Sequence, residues 1–179
     1  MTAARPELEA ESWAFALSVY ARPGVGEACL VLQNEAGVDV MLLMMTTFAA
    51  VRRRILLTAG EITALDEACA PWREHIVGKL RAIRTELKTG PQPAPSAATE
   101  PFRSKIKAIE LEAEKFENQL LAGCLPLRPP QQEAVGPEQL RTVLNAVVTH
   151  FADKRGVKLD ARFSPSIDTV VVAAIRDTS

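Results

Sequence analysis

Apolar residues recur every three or four positions along most of this chain, and this period constrains the fold more than any other feature. The clearest example is the stripe formed by Ile106, Ile109, Ala113, Phe116 and Leu120. A stripe of this kind lies on one side of a helix and faces a partner element. Because the same period recurs from segment to segment, we predict an all-α fold, a compact irregular bundle of five to seven helices.

Several helix ends can be placed from the residues that cap them. Asp39 predicts the N-cap of a third helix, and Gly37 just before it predicts the end of the second. Thr58 and Glu61 have the spacing of a capping box, which predicts a fourth helix that ends just before Pro71. Pro71 suits the first turn of a separate fifth helix, because proline is well tolerated there.

The C-terminal region allows two interpretations. Residues 157–160 alternate between apolar and polar side chains, as a short strand does, and the β-branched run at 170–172 also suits a strand. Ser164 and Pro165, in contrast, are suited to begin a final helix that extends to Ile175. A short strand near the C-terminus therefore stays open beside the helical interpretation.

Two proline-rich breaks divide the helical segments, at residues 90–101 and 125–137. Segments of this composition form connectors rather than packed helices. We predict an N-terminal arm at 1–11 and a helical core domain at 12–122 that contains a flexible connector at 90–101. We predict that residues 123–179 form a C-terminal helical extension, packed on the core or on a second subunit.

Composition argues against several classes of protein. The 179 residues carry 21 Lys and Arg against 22 Asp and Glu, a net charge of −1, which gives no reason to expect nucleic-acid binding. The first 12 residues lack the basic start and apolar run of a secretory signal, and no apolar run approaches the roughly 20 residues needed to cross a bilayer. Three widely separated cysteines favour free thiols in a reducing compartment. We therefore predict a cytoplasmic protein without a membrane span.

The residues that usually hold metals or cofactors are scarce. The two histidines, His75 and His150, have Trp72 and Val147 three positions before them, so neither belongs to the Glu-x-x-His pairs of a di-iron bundle. Cysteines and histidines do not cluster as a zinc site requires, and no glycine-rich phosphate loop is present. We predict no metal and no cofactor, and we favour a non-enzymatic role.

Charged residues on two predicted helices share one sector each. At about 100° per residue, four cations fall together on the fifth helix: Arg73, Arg81, Arg84 and Lys88. The sixth helix carries a mixed row beside its apolar stripe: Arg103, Lys107, Glu110, Glu114 and Glu117. If the two helices pack antiparallel, Arg81 or Arg84 can pair bidentately with Glu110 or Glu114. Alternatively, both rows face solvent and contribute little.

Three blocks of residues resemble a known family. They are Trp13 to Tyr20 with Arg22-Pro23-Gly24-Val25 and the run from Ala28 to Gln33; Trp72-Arg73 with Leu80-Arg81, Arg84 and Leu87-Lys88; and Arg103, Ile106-Lys107 and Glu110 to Glu114. In order and spacing, these blocks resemble the proteobacterial family DUF2390 over about residues 12–122. Met41 and Gly78-Lys79 depart from its pattern. The resemblance implies no particular activity, substrate or cofactor.

Two functions stay open on this evidence. The first is an interaction or regulatory module that acts through helix-mediated association, either as a homodimer or with a protein partner, because apolar helix faces must be buried somewhere. The second is a binding protein or enzyme for a small anionic or polar ligand, with a buried site formed by the Arg and Glu residues. An apolar cavity that opens onto both Arg81 and Arg84 would favour the second.

Overall fold

A computed structural model describes residues 4–176, and this part of the chain forms seven helices and no strand. The all-α prediction is therefore confirmed. The first three helices are α1 (Ala4–Tyr20), α2 (Val25–Val31, extended by a π-helical turn at Leu32–Ala36) and α3 (Val40–Arg53). Helix α4 comprises Ala59–Trp72, a π-helical turn at Arg73–Val77, and Gly78–Glu86. The last three are α5 (Glu100–Cys124), α6 (Pro137–Lys154) and α7 (Ser164–Arg176).

Helix α3 lies at the centre of the molecule. Residues 41–51 are all buried, because this helix is apolar on every side and neighbours surround it. It packs against α1, α5 and α6, while α7 packs against α2 and α6. Residues of α6 and α7, such as Leu144 and Val170, belong to the same hydrophobic core as those of α1 to α3.

The predicted caps on either side of α3 are confirmed. The Asp39 carboxylate accepts hydrogen bonds from the backbone N–H groups of Met41 (2.8 Å) and Leu42 (3.4 Å). Gly37 ends α2 with a φ of 75°, a left-handed conformation that favours glycine. Thr58 and Glu61 form the predicted capping box at the start of α4.

Pro71 does not separate two helices as predicted, because it lies inside α4. Proline lacks the N–H group that an interior helical position uses, and such sites bend or disturb a helix. Here a π-helical turn follows directly, and the N–H of Gly78 bonds to the carbonyl of Arg73, five residues earlier. A Cβ at position 78 would lie 3.2 Å from this carbonyl oxygen, so glycine suits the turn.

The N-terminal region differs from prediction, and the structure decides between the two interpretations of the C-terminal region. Helix α1 begins at Ala4, so residues 4–11, predicted as an arm, form its first turns, and Leu8 is buried in the core. Residues 157–160 form no strand in the described chain, because no neighbouring extended segment offers backbone partners. The final helix, predicted from Ser164 to Ile175, is confirmed as α7.

Helices α4 and α5 pack antiparallel across the connector, which is the arrangement that the ion-pair interpretation requires. The indole Nε1 of Trp72 donates a hydrogen bond to the Ala113 carbonyl (2.9 Å) near one end of this contact. The apolar stripe of α5, however, does not face one partner: of its five residues only Ala113 is fully buried, and Phe116 is 55% exposed. The helix is rotated so that Glu110 and Glu117 point inward, where they have polar partners.

No single helix among residues 4–176 combines the length and apolar composition needed to cross a membrane. The segments Arg5–Tyr20 and Val25–Ala36 meet that requirement only as a pair, with a 97° bend between them.

Candidate functional site

A cleft of about 540 Å³ lies between α1, α2, α3, α5 and the second half of α4. Its floor consists of buried residues: Ala16, Cys29, Met41 and Met44. Its rim consists of apolar side chains that are 43–48% exposed: Leu17, Tyr20, Leu30 and Leu111. Trp13 forms part of the wall and also packs against the core. A buried apolar floor and an exposed apolar rim are typical of sites that bind small molecules.

The predicted ion pairs between α4 and α5 are confirmed, and they form the polar end of this cleft. Arg81 donates from Nε to Glu110 Oε1 (2.9 Å) and from Nη2 to Glu114 Oε1 (2.7 Å). Arg84 donates from Nε to Glu110 Oε2 and from Nη2 to Glu110 Oε1 (3.2 Å). The cleft therefore joins an apolar body to a charged network that spans two helices.

The two carboxylates of the network differ in their electrostatics. Burial alone would raise the pKa of Glu110, but hydrogen bonds from Arg84 and Arg81 hold this pKa below its ordinary value. Burial raises the pKa of Glu114 above its ordinary value, because a single bond from Arg81 does not offset the loss of solvent. Glu110 is thus a firmly ionised partner, whereas Glu114 is held less strongly.

The other predicted site residues lie in three different places. Lys88 lines the cleft just beyond the end of α4, and Lys107 lines it from α5. Arg103 instead pairs with Glu100 on the outer side of α5. Arg73 is the first residue of the π-helical turn, which separates it from Arg81 and Arg84, and it belongs to a second charged cluster.

This second cluster, which we call the Asp66 cluster, comprises Asp39, Asp66, Arg73, His150 and Lys154. Arg73 donates to Asp39 Oδ2 (2.8 Å) and to Asp66 Oδ1 (2.5 Å). Asp66 also contacts His150 Nε2 (2.8 Å) and accepts from Lys154 Nζ (2.6 Å). Burial would raise the pKa of Asp66, but these partners hold it below its ordinary value. The cluster joins the start of α3 to α4 and α6.

Glu117 lies at the edge of the Asp66 cluster and is 1% exposed. Burial, followed by the nearby Asp39 charge and a hydrogen bond between the two carboxyl groups, raises the pKa of Glu117 to about 10. The side chain is therefore protonated at neutral pH and donates to Asp39. Among residues 4–176, no hydrogen-bond partner lies within reach of its Oε1 atom.

The Asp66 cluster was not predicted, although the sequence contains a signal for it. Asp66 lies among Ile62, Leu65 and Cys69, on the buried face of α4, and a carboxylate on an apolar helix face requires a buried partner. Arg73 was assigned to the wrong group because a uniform 100° step was assumed. A π-helical turn holds more residues than an α-helical one, so it rotates Arg81 and Arg84 relative to Arg73.

The chemistry available at the cleft is mainly that of binding. Burial raises the pKa of the Cys29 thiol to about 12, which leaves the thiol protonated, and a protonated thiol is a poor nucleophile. No group of three or more His, Cys, Asp or Glu side chains in residues 4–176 is arranged to hold a metal ion. The guanidinium and ammonium groups at the polar end can bind oxyanions or polar groups.

Fold and site together define an all-α protein with an apolar cleft that ends in an Arg/Glu network. The model of the family described as a protein of unknown function (DUF2390) matches residues 11–121, and the chain belongs to this family. All residues that line the cleft, from Trp13 to Glu114, lie within the matched region. Comparison with curated proteins and with solved structures gave no match.

Proposed function

We propose that this protein is a binding module for a small, mainly apolar molecule that carries one polar group. The observation that supports this proposal is the opening of the apolar cleft onto both Arg81 and Arg84. The apolar part of such a ligand, placed against Trp13, Leu17 and Met44, would cover rim side chains that are otherwise partly exposed to water. Burial of such surface contributes about 25 cal/mol per Å² before the costs of association.

The composition of the floor also suits binding. Met41 and Met44 are unbranched and polarizable, so they adapt to ligands of irregular shape. The volume of about 540 Å³ lies within the range of about 300–1,000 Å³ that is usual for small-molecule sites. The Arg/Glu network at one end would orient the polar group of the ligand.

A titration with an uncharged fluorescent probe, N-phenyl-1-naphthylamine, tests this proposal. We expect saturable binding to the wild-type protein, with a blue-shifted and enhanced emission. Ala108 lines the cleft from the exposed surface of α5, so Ala108→Trp fills the cleft without removing a core side chain. The dissociation constant of this variant should rise by about tenfold or more, equivalent to a loss of about 1.4 kcal/mol.

Ala82→Trp provides the matched control. Ala82 is also an exposed helical alanine, but it does not line the cleft. Both variants should unfold at temperatures close to that of the wild type. The proposal fails if the wild type shows no saturable binding, or if Ala108→Trp binds the probe as well as Ala82→Trp does.

A second candidate function, helix-mediated self-association, is supported by a different surface. On the outer side of α5, Phe102, Ile109 and Phe116 follow one another at seven-residue intervals and are 47–55% exposed. Ile76 and Ile83 repeat the interval on α4 and are 38% and 44% exposed. A seven-residue apolar repeat on neighbouring helices is the pattern that packs against another helix.

Size-exclusion chromatography with light scattering tests this candidate. We expect a homodimer at micromolar concentration and a monomer after Ile109→Glu. Val172→Glu places the same charge at an exposed apolar position on α7 and should leave the dimer intact. A wild-type protein that is strictly monomeric contradicts the candidate.

A further inference from the structure

The two carboxylates at the polar end of the cleft are held unequally. Glu110 accepts three hydrogen bonds from two guanidinium groups, and its side chain is 6% exposed. Glu114 accepts one bond, from Arg81 Nη2, and its side chain is 21% exposed. Removal of Glu110 would leave Arg81 and Arg84 without their shared partner, whereas removal of Glu114 would cost Arg81 a single bond.

Cations also outnumber carboxylates around the cleft. Its lining contains Arg81, Arg84, Lys88 and Lys107, but only Glu110 and Glu114 as acids. Neither lysine has an ion pair with any residue between 4 and 176, and both are exposed. The excess positive charge therefore lies at one end of an apolar cleft, where a bound molecule would partly exclude water and strengthen each electrostatic contact.

Resting on the function proposed above, we propose that the ligand is an organic anion with a single acidic head group, such as a carboxylate or a sulfonate. Its apolar body lies against Trp13 and Met44, and its head group takes the place of Glu114 on the Arg81 guanidinium. Lys107 supplies a second positive charge from α5. Glu110 stays in place and keeps Arg81 and Arg84 in position.

The size of the effect follows from the chemistry of the contact. A hydrogen bond between a guanidinium group and an oxyanion is among the stronger ones in proteins. Exchange of Glu114 for the head group on Arg81 gains no hydrogen bond by itself, so the gain comes from the positive charges of Lys88 and Lys107 and should be about tenfold over an uncharged molecule with the same apolar part. The gain should decrease as salt concentration rises, since the lysines are exposed.

Two probes with the same aromatic body test the proposal. N-phenyl-1-naphthylamine is uncharged, and 8-anilinonaphthalene-1-sulfonate adds one sulfonate. We expect the wild type to bind the sulfonate about tenfold more tightly than the uncharged probe at low salt. Binding of both probes should be lost in Ala108→Trp, which would locate them in the cleft.

Three variants separate the contribution of charge from that of the apolar body. Lys107→Gln should lower the ratio of sulfonate affinity to uncharged-probe affinity several-fold. Lys105→Gln, two residues away and outside the cleft, is the control and should change neither. Glu114→Gln keeps the shape of the side chain but removes its charge, so it should strengthen sulfonate binding.

The outcomes distinguish this inference from the proposed function. If the uncharged probe binds in the cleft and the sulfonate binds no more tightly, the anionic ligand is wrong and the binding function stands. The inference is also overturned if Lys107→Gln and Lys105→Gln behave alike, or if Glu114→Gln weakens the sulfonate. If neither probe saturates, the binding function fails and the inference fails with it.

Discussion

Substitution of Arg73 by Met should destabilise this protein more than the loss of any surface charge. The Arg73 side chain is 16% exposed, and its partners Asp39 and Asp66 are 4% and 1% exposed. Methionine keeps most of the apolar volume but leaves two buried carboxylates without their shared cation. Removal of one member of a buried ion pair costs about 3–5 kcal/mol, because the remaining charge is uncompensated.

The remaining partners of the two carboxylates place the cost near the lower limit. Asp66 keeps His150 and Lys154, and Asp39 keeps the backbone N–H groups at the start of α3. We therefore expect a loss of about 3 kcal/mol. For a chain of this length, each kcal/mol corresponds to about 2–4 °C, so Tm should fall by about 6–12 °C.

Thermal unfolding followed by far-UV circular dichroism at neutral pH measures this effect. Arg103→Met is the matched control, because Arg103 pairs with Glu100 on an exposed helix surface and its loss should leave Tm nearly unchanged. If Arg73→Met lowers Tm no more than Arg103→Met, the Asp66 cluster is solvated and the reasoning is refuted.

Three further predictions concern pH and backbone conformation. In the folded state Glu117 keeps its proton up to about pH 10. The unfolded chain releases this proton near the ordinary pKa of glutamate, so the free energy of unfolding falls as pH rises between these two values. Glu117→Gln should therefore raise Tm at about pH 8 and have little effect near pH 5; an equal effect at both values would contradict it. Hydrogen bonding from Arg128 lowers the pKa of Glu61 to about 2, so this pair stabilises the fold above the ordinary pKa of 4.5 and the contribution is lost as pH falls towards 2. Arg128→Met should make acid unfolding less steep in that range, and an unchanged acid titration of stability would disprove the assignment. Gly37 has a φ of 75°, and a Cβ there would lie 2.6 Å from the Arg155 side chain. Gly37→Ala should therefore lower the free energy of unfolding, measured with denaturant, by about 1 kcal/mol. No loss would mean that the turn adapts freely.

Local sequence signals were sufficient to predict the helices and most of their ends. The Asp39 cap and the Thr58–Glu61 capping box depend on contacts within four residues, so they do not require contacts with distant segments. The pairing of Arg81 with Glu110 and Glu114 was also predictable, because it requires only regular helices on each side of a connector and antiparallel packing.

Contacts between distant segments decided the remaining features. Pro71 and Gly78 are compatible with either a helix end or a π-helical turn, and packing of α4 against α3, α5 and α6 selected the continuous helix. The rotation of α5 depends on buried partners for Glu110 and Glu117, which lie on other helices. The cleft has no local signature, and the apolar pattern around Asp66 indicates a buried partner without identifying it, because each site is formed by side chains from at least three helices. Periodicity along one chain thus determined which segments are helical, whereas the free energy of burying charged groups determined how those helices face one another.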